Sequence, residues 1–310
     1  MIIFAYHNVL EHTPGAFHML TRKESTAARA FEKQIDDVAA RLRVVPLAEL
    51  ARATREGRTM PDACAITFDD GGLGGYRYAA ALLEKRTLPA TFFLVTNRPG
   101  RDVQDAFDRL EALLWLTKRD ALDLSASGEG VLSLACDECK VRAYGTIAKR
   151  LRVAGRAERD RLLETAACGL DVPESDVTGY LSHEAYQSMT WAQARELAQR
   201  GFAIGSHTRT HVSASALSEP ELEDEIGGSY RDIVEQIGQN PREIAFAYPF
   251  GKEKHISEAA VDAARKAGYM CAVIGGGVRD ANVDVFRLPR TRYKYAKKVS
   301  RGSAAPPTRS

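Results

Sequence analysis

Two kinds of apolar spacing alternate along this 310-residue chain: short unbroken apolar runs, and longer stretches in which apolar residues return every third or fourth position. Unbroken runs bounded by turn residues predict buried strands, and the wider spacing predicts helices with one apolar stripe. Strands are expected at residues 2–6, 43–45, 65–68, 91–95, 202–205, 244–248, 269–274 and 286–290. Between the first two, Phe31, Ile35, Val38 and Leu42 fall on one helical face. Further helices are expected at 76–85, 191–200, 219–236 and 257–267, the last closed by Gly268 as a left-handed C-cap. Strand and helix in regular succession mark parallel βα units, and about eight strands suit a barrel. The fold class expected is α/β, a distorted (β/α) barrel of seven or eight strands.

Residues 97–189 break this rhythm. Helices are expected there at 106–117 and 157–167, with no strong strand, so the interval reads as a helical insertion into a single barrel domain spanning 1–295. It is either a cap over the catalytic rim or a layer packed on the outside. Residues 296–310, rich in Lys, Ser and Pro, are expected to form a disordered tail.

Composition changes this picture little. Lys and Arg number 43 against 41 Asp and Glu, and this near balance gives no reason to expect a nucleic-acid partner. The five cysteines, Cys64, Cys136, Cys139, Cys168 and Cys271, are odd in number and scattered, and are expected to be reduced thiols. The first residues lack the pattern of a secretory leader, and no stretch approaches the roughly 20 apolar residues of a transmembrane helix. A cytoplasmic protein is expected on that basis, acting on a biosynthetic intermediate rather than on an exported polymer.

Two short stretches carry the chemistry. Asp69 and Asp70 follow the apolar run 65–68 and precede Gly71 and Gly72, which puts them at the C-terminal end of a strand, where catalytic groups of parallel barrels collect. Asp-Gly is also a common surface turn. His207 and His211, four apart after the run 202–205, would face one side on a helical turn and, with a carboxylate, could hold a divalent metal. Such a set suits Zn2+, although Co2+, Mn2+, Ni2+ or Fe2+ can use the same ligands.

Thr67-Phe68-Asp69-Asp70-Gly71, Ser206-His207-Thr208-Arg209-Thr210-His211 and Phe246-Ala247-Tyr248-Pro249-Phe250-Gly251 resemble, in order and spacing, the first three motifs of the polysaccharide deacetylases. That family is also called carbohydrate esterase family four, or the NodB homology domain. The resemblance runs from about Met1 to Arg292 and leaves 97–189 outside the shared core. It implies a metal-dependent hydrolase that removes N-acetyl groups from amino sugars of a glycan or glycoconjugate. By position it implies Asp69 as the general base, Asp70, His207 and His211 as metal ligands, and the Phe250 main-chain N–H as part of an oxyanion hole.

The chain departs from the family in two places. Many members carry in the third motif an arginine that orients the base, where this chain has Ala247, and many carry a late leucine-x-histidine that supplies the acid, whereas no histidine follows His255. Tyr6-His7-Asn8-Val9 resembles the N-terminal Tyr-His segment of the branch that includes the bacterial poly-N-acetylglucosamine deacetylases, which makes His7 the candidate acid. For the missing cation the candidate is Arg290, at the end of the last strand, with Arg287 as fallback; a guanidinium beside Asp69 would orient it and keep it ionised. Tyr248 and Phe250 are candidates to stack on a sugar ring, and Tyr248 is equally a wall-packing candidate.

Other features are expected to be structural. Cys136-Asp137-Glu138-Cys139 has the C-x-x-C form without a second pair, Trp115 reads as helix core, and His12, His18, His183 and His255 as solvated. Residues 11–21, which follow His7, are a candidate substrate contact. Two other activities fit the same residues: hydrolysis of a non-sugar amide, and glycan binding without catalysis.

Overall fold

The computed structural model describes residues 1–12, 25–101, 104–276 and 283–294. His18, most of the segment 11–21 and the tail 296–310 lie outside the described residues. Seven strands form the central sheet: β1 Ile2–Tyr6, β2 Ala63–Phe68, β3 Thr91–Leu94, β4 Ala203–Ser206, β5 Ala245–Ala247, β6 Cys271–Gly275 and β7 Leu288–Arg290. Each is parallel to the next in sequence order. The ring returns on itself through a parallel bridge between Phe4 and Thr291, whose N–H donates to Ile3 while Ala5 donates to Thr291, both at 2.9 Å. The eighth expected strand, Arg43–Val44, pairs with the start of β2 outside this ring. The barrel therefore has seven strands, and its β4–β5 seam pairs through a single register, Ser206 with Phe246.

Alternation along the strands sorts side chains into two layers. Phe4, Tyr6, Phe68, Phe92, Ile204, Phe246 and Ile274 face outward and are buried under helices. Helix α1, Ala28–Ala39, contributes Phe31, Ile35 and Val38 to that layer, the stripe expected from spacing. Phe31, Phe68, Phe92 and Phe202 form a run of ring contacts with centroids 4.7 to 5.7 Å apart, within the range where aromatic pairs add about 0.5–1.5 kcal/mol beyond area burial. Ile3, Ala65, Phe93, Ala245, Ala247, Val273 and Leu288 fill the interior, and α2, Leu47–Arg55, adds Leu47, Leu50 and Ala51 to the same cluster.

The inserted segment has its own apolar core, built on helix α3, Ala106–Leu116, and on the helices Asp137–Leu151, Arg156–Leu170 and Glu174–Leu181. Contrary to expectation it also holds a hairpin, Ala121–Leu124 antiparallel to Gly130–Ser133. Four-residue strands with only Leu122 and Leu124 fully inward are too short for alternation to stand out. The insertion caps the rim rather than lying on the outer wall. Its returning end is tied to the loop after β2 by Leu73 N–H to Gln187 at 2.8 Å and Met189 N–H to Gly71 at 2.9 Å.

Cys136 and Cys139 form a disulfide, which corrects the expectation of reduced thiols throughout. The pair straddles the first turn of a helix, which sets its Cα atoms 5.0 Å apart, within bridging reach. Cys64, Cys168 and Cys271 are free. Among the described residues no helix is long and apolar enough to cross a membrane.

Candidate active site

Two neighbouring carboxylates leave β2 in different directions. The Asp69 N–H continues the ladder to Tyr6 O at 2.9 Å, so its side chain keeps the inward parity of Ala65 and Thr67. There it meets Arg290, which donates from Nη1 to Oδ1 and from Nη2 to Oδ2, both at 2.7 Å. The same Nη1 reaches the Thr67 hydroxyl at 3.1 Å, which itself donates to Phe4 O. The guanidinium lies over the Phe93 ring, 5.6 Å from its centroid, in the interior layer that also holds Ala247. Asp69 and Arg290 side chains are 5% and 4% exposed, so water screens little of their attraction. Burial raises the Asp69 carboxyl, but the charge of Arg290, then of His207, then the Arg290 hydrogen bonds and the charge of His7 outweigh it and hold it below the usual carboxylate range.

Asp70 turns away because its φ is +70°, a left-handed conformation uncommon for a residue with a side chain. Its Oδ1 is 3.6 Å from His207 Nε2 and 3.5 Å from His211 Nε2. The histidines do not sit on a helical turn as expected. They belong to an irregular loop with Thr208 at φ +65° and His211 at φ +57°. Buried Glu225 holds that loop, accepting the N–H groups of Arg209 and Thr210 at 2.9 Å and the Thr210 hydroxyl at 2.6 Å. Positive φ at Asp70, Thr208, His211 and Phe250 concentrates backbone strain around one point, as functional sites often do.

This donor set fits a divalent cation. His207 Nδ1 faces Ala247 O at 2.7 Å, and His211 Nδ1 faces Asp105 Oδ2 at 3.2 Å. With those nitrogens carrying the protons, both Nε2 lone pairs point at Asp70. Burial pushes each imidazole down to about 4, which leaves both neutral at pH 7. Asp70 Oδ1 is buried without a hydrogen bond, and one donor atom from each of the three residues lies within 4.8 Å of the others. A buried acceptor next to two aimed lone pairs is an arrangement that a cation would satisfy.

Phe250 sits in the loop after β5 at φ +62°, and its main-chain N–H donates to no acceptor among the described residues. Its ring packs 5.0 Å from His211, 5.5 Å from Phe107 of α3 and 5.5 Å from His255. Tyr248 is not at the rim. It is fully buried on the outer layer beside Phe246, which removes it as a sugar platform, because its strand parity points it away from the barrel mouth. Arg287 is not beside Asp69 either; it pairs with Glu253 and Glu258. His7 follows β1 and is half-buried, close enough to Asp69 and Asp70 for its charge to lower both. His255, expected to be solvated, is buried against Phe250 and lies 3.4 Å from the Ser213 hydroxyl. Sequence reading missed Asp105 altogether. Its only local signal is an aspartate directly before a helix.

A parallel barrel whose mouth carries an arginine-held carboxylate beside a two-histidine, one-carboxylate cluster defines a hydrolase-like site class. The polysaccharide deacetylase family profile matches residues 56–115 and 172–272, a little over half of the chain, and the chain belongs to that family. No curated protein matches it. Among solved structures it is similar to the Streptococcus pyogenes deacetylase PplD in complex with acetate, at 16% identity and TM-score 0.57, covering 94% of this chain and 91% of that one. It is also similar to IcaB from Ammonifex degensii, at 17% identity and TM-score 0.56, covering 94% and 90%. A de-N-acetylase from Aggregatibacter actinomycetemcomitans matches at 17% identity and TM-score 0.54, covering 96% and 98%. At such identities the likeness is one of fold, and these chains share the nearly closed seven-stranded barrel.

Proposed function

We propose that this protein is a metal-dependent N-deacetylase that hydrolyses the acetamide of an amino sugar in a glycan or glycoconjugate. The observation that carries the reading is the pairing of two unlike carboxylates at one barrel mouth: Asp69 locked to Arg290, and Asp70 facing two neutral imidazoles. Asp70, His207 and His211 would hold the cation, for which Zn2+ is the first choice. When bound, such an ion polarises an amide carbonyl and lowers the pKa of water. Asp69, oriented and kept ionised by Arg290, accepts the proton of the attacking water. The Phe250 N–H donates to the oxygen on which charge develops. His7 gives the proton that the departing amine requires, and the capping insertion limits which glycan reaches the mouth.

The test is acetate release by the zinc-loaded protein from a panel of N-acetylated mono- and oligosaccharides beside acyclic and cyclic amides. Release from the sugars alone is expected. Release from the non-sugar amides alone, or binding of glycans with no release from any of them, would overturn the reading.

A further inference from the structure

The Nδ1 side of His211 is served by a residue outside the three sequence motifs, Asp105. Asp105 is the N-cap of α3: its Oδ1 accepts the Phe107 N–H at 2.8 Å and the Asp108 N–H at 3.4 Å. The same carboxylate uses Oδ2 for His211 Nδ1 at 3.2 Å and for the Arg98 guanidinium. Its side chain is 9% exposed, and Arg98 is buried with it. The cap fixes one oxygen, so the other has a set direction. Phe107, two residues on, places its ring 6.3 Å from the His211 ring and closes the apolar side. His211 is thus held on a short lever from the insertion, whereas His207 leans on a main-chain carbonyl of the barrel.

We propose that Asp105 is a positioning residue of the metal centre, which through its Oδ2 keeps the proton of His211 on Nδ1 and aims Nε2 at Asp70, so that the inserted cap completes a site the barrel alone leaves loose. This rests on the reading of Asp70, His207 and His211 as the metal ligands. An imidazole held by a carboxylate is oriented and made a better donor, and loss of such a partner typically weakens metal binding about 10- to 100-fold. Arg98 keeps the carboxylate in place between the cap and the imidazole.

The experiment measures Zn2+ affinity of the metal-stripped full chain by competition with a chromophoric chelator, for wild type, Asp105→Asn, Asp105→Ser and His211→Ala. Asn and Ser cap helices as well as Asp does, which preserves the start of α3, but both remove the carboxylate charge beside buried Arg98, so the metal-free variants should melt below wild type and the affinities are compared at a temperature where every variant is folded. Both Asp105 variants should bind Zn2+ about 10- to 100-fold more weakly, and zinc should raise their midpoints less. Nitrogen-15 spectra of the metal-free protein should show His211 protonated on Nδ1 in wild type and mixed tautomers in Asp105→Ser. Wild-type affinity in both Asp105 variants, with affinity lost in His211→Ala, would overturn the positioning role and leave the metal site standing. Zinc binding that is equally weak in wild type and His211→Ala would overturn both. If one Asp105 variant failed to fold, the other, with the tautomer spectrum, would still decide.

Discussion

Replacing Arg290 by Met separates the orientation of the base from everything else at the barrel mouth. Met keeps much of the length of the side chain but removes the two 2.7 Å bonds to Asp69 and the bond to Thr67. Asp69 is buried, so its charge is left there without its main partner. Breaking a buried pair from one side typically costs about 3–5 kcal/mol, a large part of an ordinary domain stability of about 5–15 kcal/mol. The sign with pH follows from linkage. In wild type the folded carboxyl lies below its usual value, so its contribution to stability is present above the unfolded pKa and is lost as pH falls through the folded one. Without Arg290, desolvation dominates and raises the carboxyl, so the variant should be most destabilised near pH 8 and regain ground toward wild type on acidification. Catalysis should fall for the same reason, because a protonated base cannot accept the water's proton. General-base assistance is worth about 100- to 10,000-fold, so kcat/KM at pH 7 should drop at least about 100-fold, equivalent to about 2.7 kcal/mol. The assays are urea unfolding at pH 5 and pH 8, and acetate release across pH. Arg290→Lys should recover part of both, because an ammonium restores charge but not the two-point contact. If Arg290→Met kept kcat/KM within about threefold and its pH profile superposed on wild type, the assignment of Arg290 and Asp69 would be wrong.

Other perturbations address the remaining groups. Asp69→Asn should bind one equivalent of zinc by elemental analysis yet lose at least about 100-fold in turnover, because the amide keeps the shape and not the basicity. His207→Ala should copurify with little metal, and stripping wild type with a chelator should abolish acetate release until zinc is restored. Both imidazoles are pushed down to about 4, so the unfolded chain takes up protons first; stability of the metal-free protein should fall as pH drops from about 6.5 to 4, by roughly 3 kcal/mol for each group in chemical unfolding. His7→Ala should remove the alkaline limb of the kcat profile, and an unchanged profile would exclude it as the acid.

Much of the barrel was legible because its strands are buried on both faces and read as apolar runs such as Ala65-Ile66-Thr67-Phe68. The helices 219–236 and 257–267 were equally clear from spacing, and Gly268 closes the latter at φ +98°. The insertion was less so. In Asp137–Leu151 only Ala143, Tyr144, Ile147, Ala148 and Leu151 are buried, none of them before Ala143, and that stripe is weak against charged neighbours. Tyr248 was ambiguous until its strand's facing was known, since one residue of register decides between wall and mouth.

The sequence by itself determined the chemical inventory: paired aspartates after one strand, paired histidines after another, and a parallel arrangement that sends strand ends to one rim. These are local properties, carried by residue type and by periodicity within a dozen positions. Tertiary structure alone decided which side chains meet. It set Arg290 against Asp69 across 221 positions, because β7 closes the ring next to β1, and it set Asp105 behind His211 across 106. It also settled the directions in which Asp69 and Asp70 diverge, since a single left-handed φ at Asp70 separates them. Contacts at such separations depend on how the ring closes and how the cap folds back, and no local spacing encodes either.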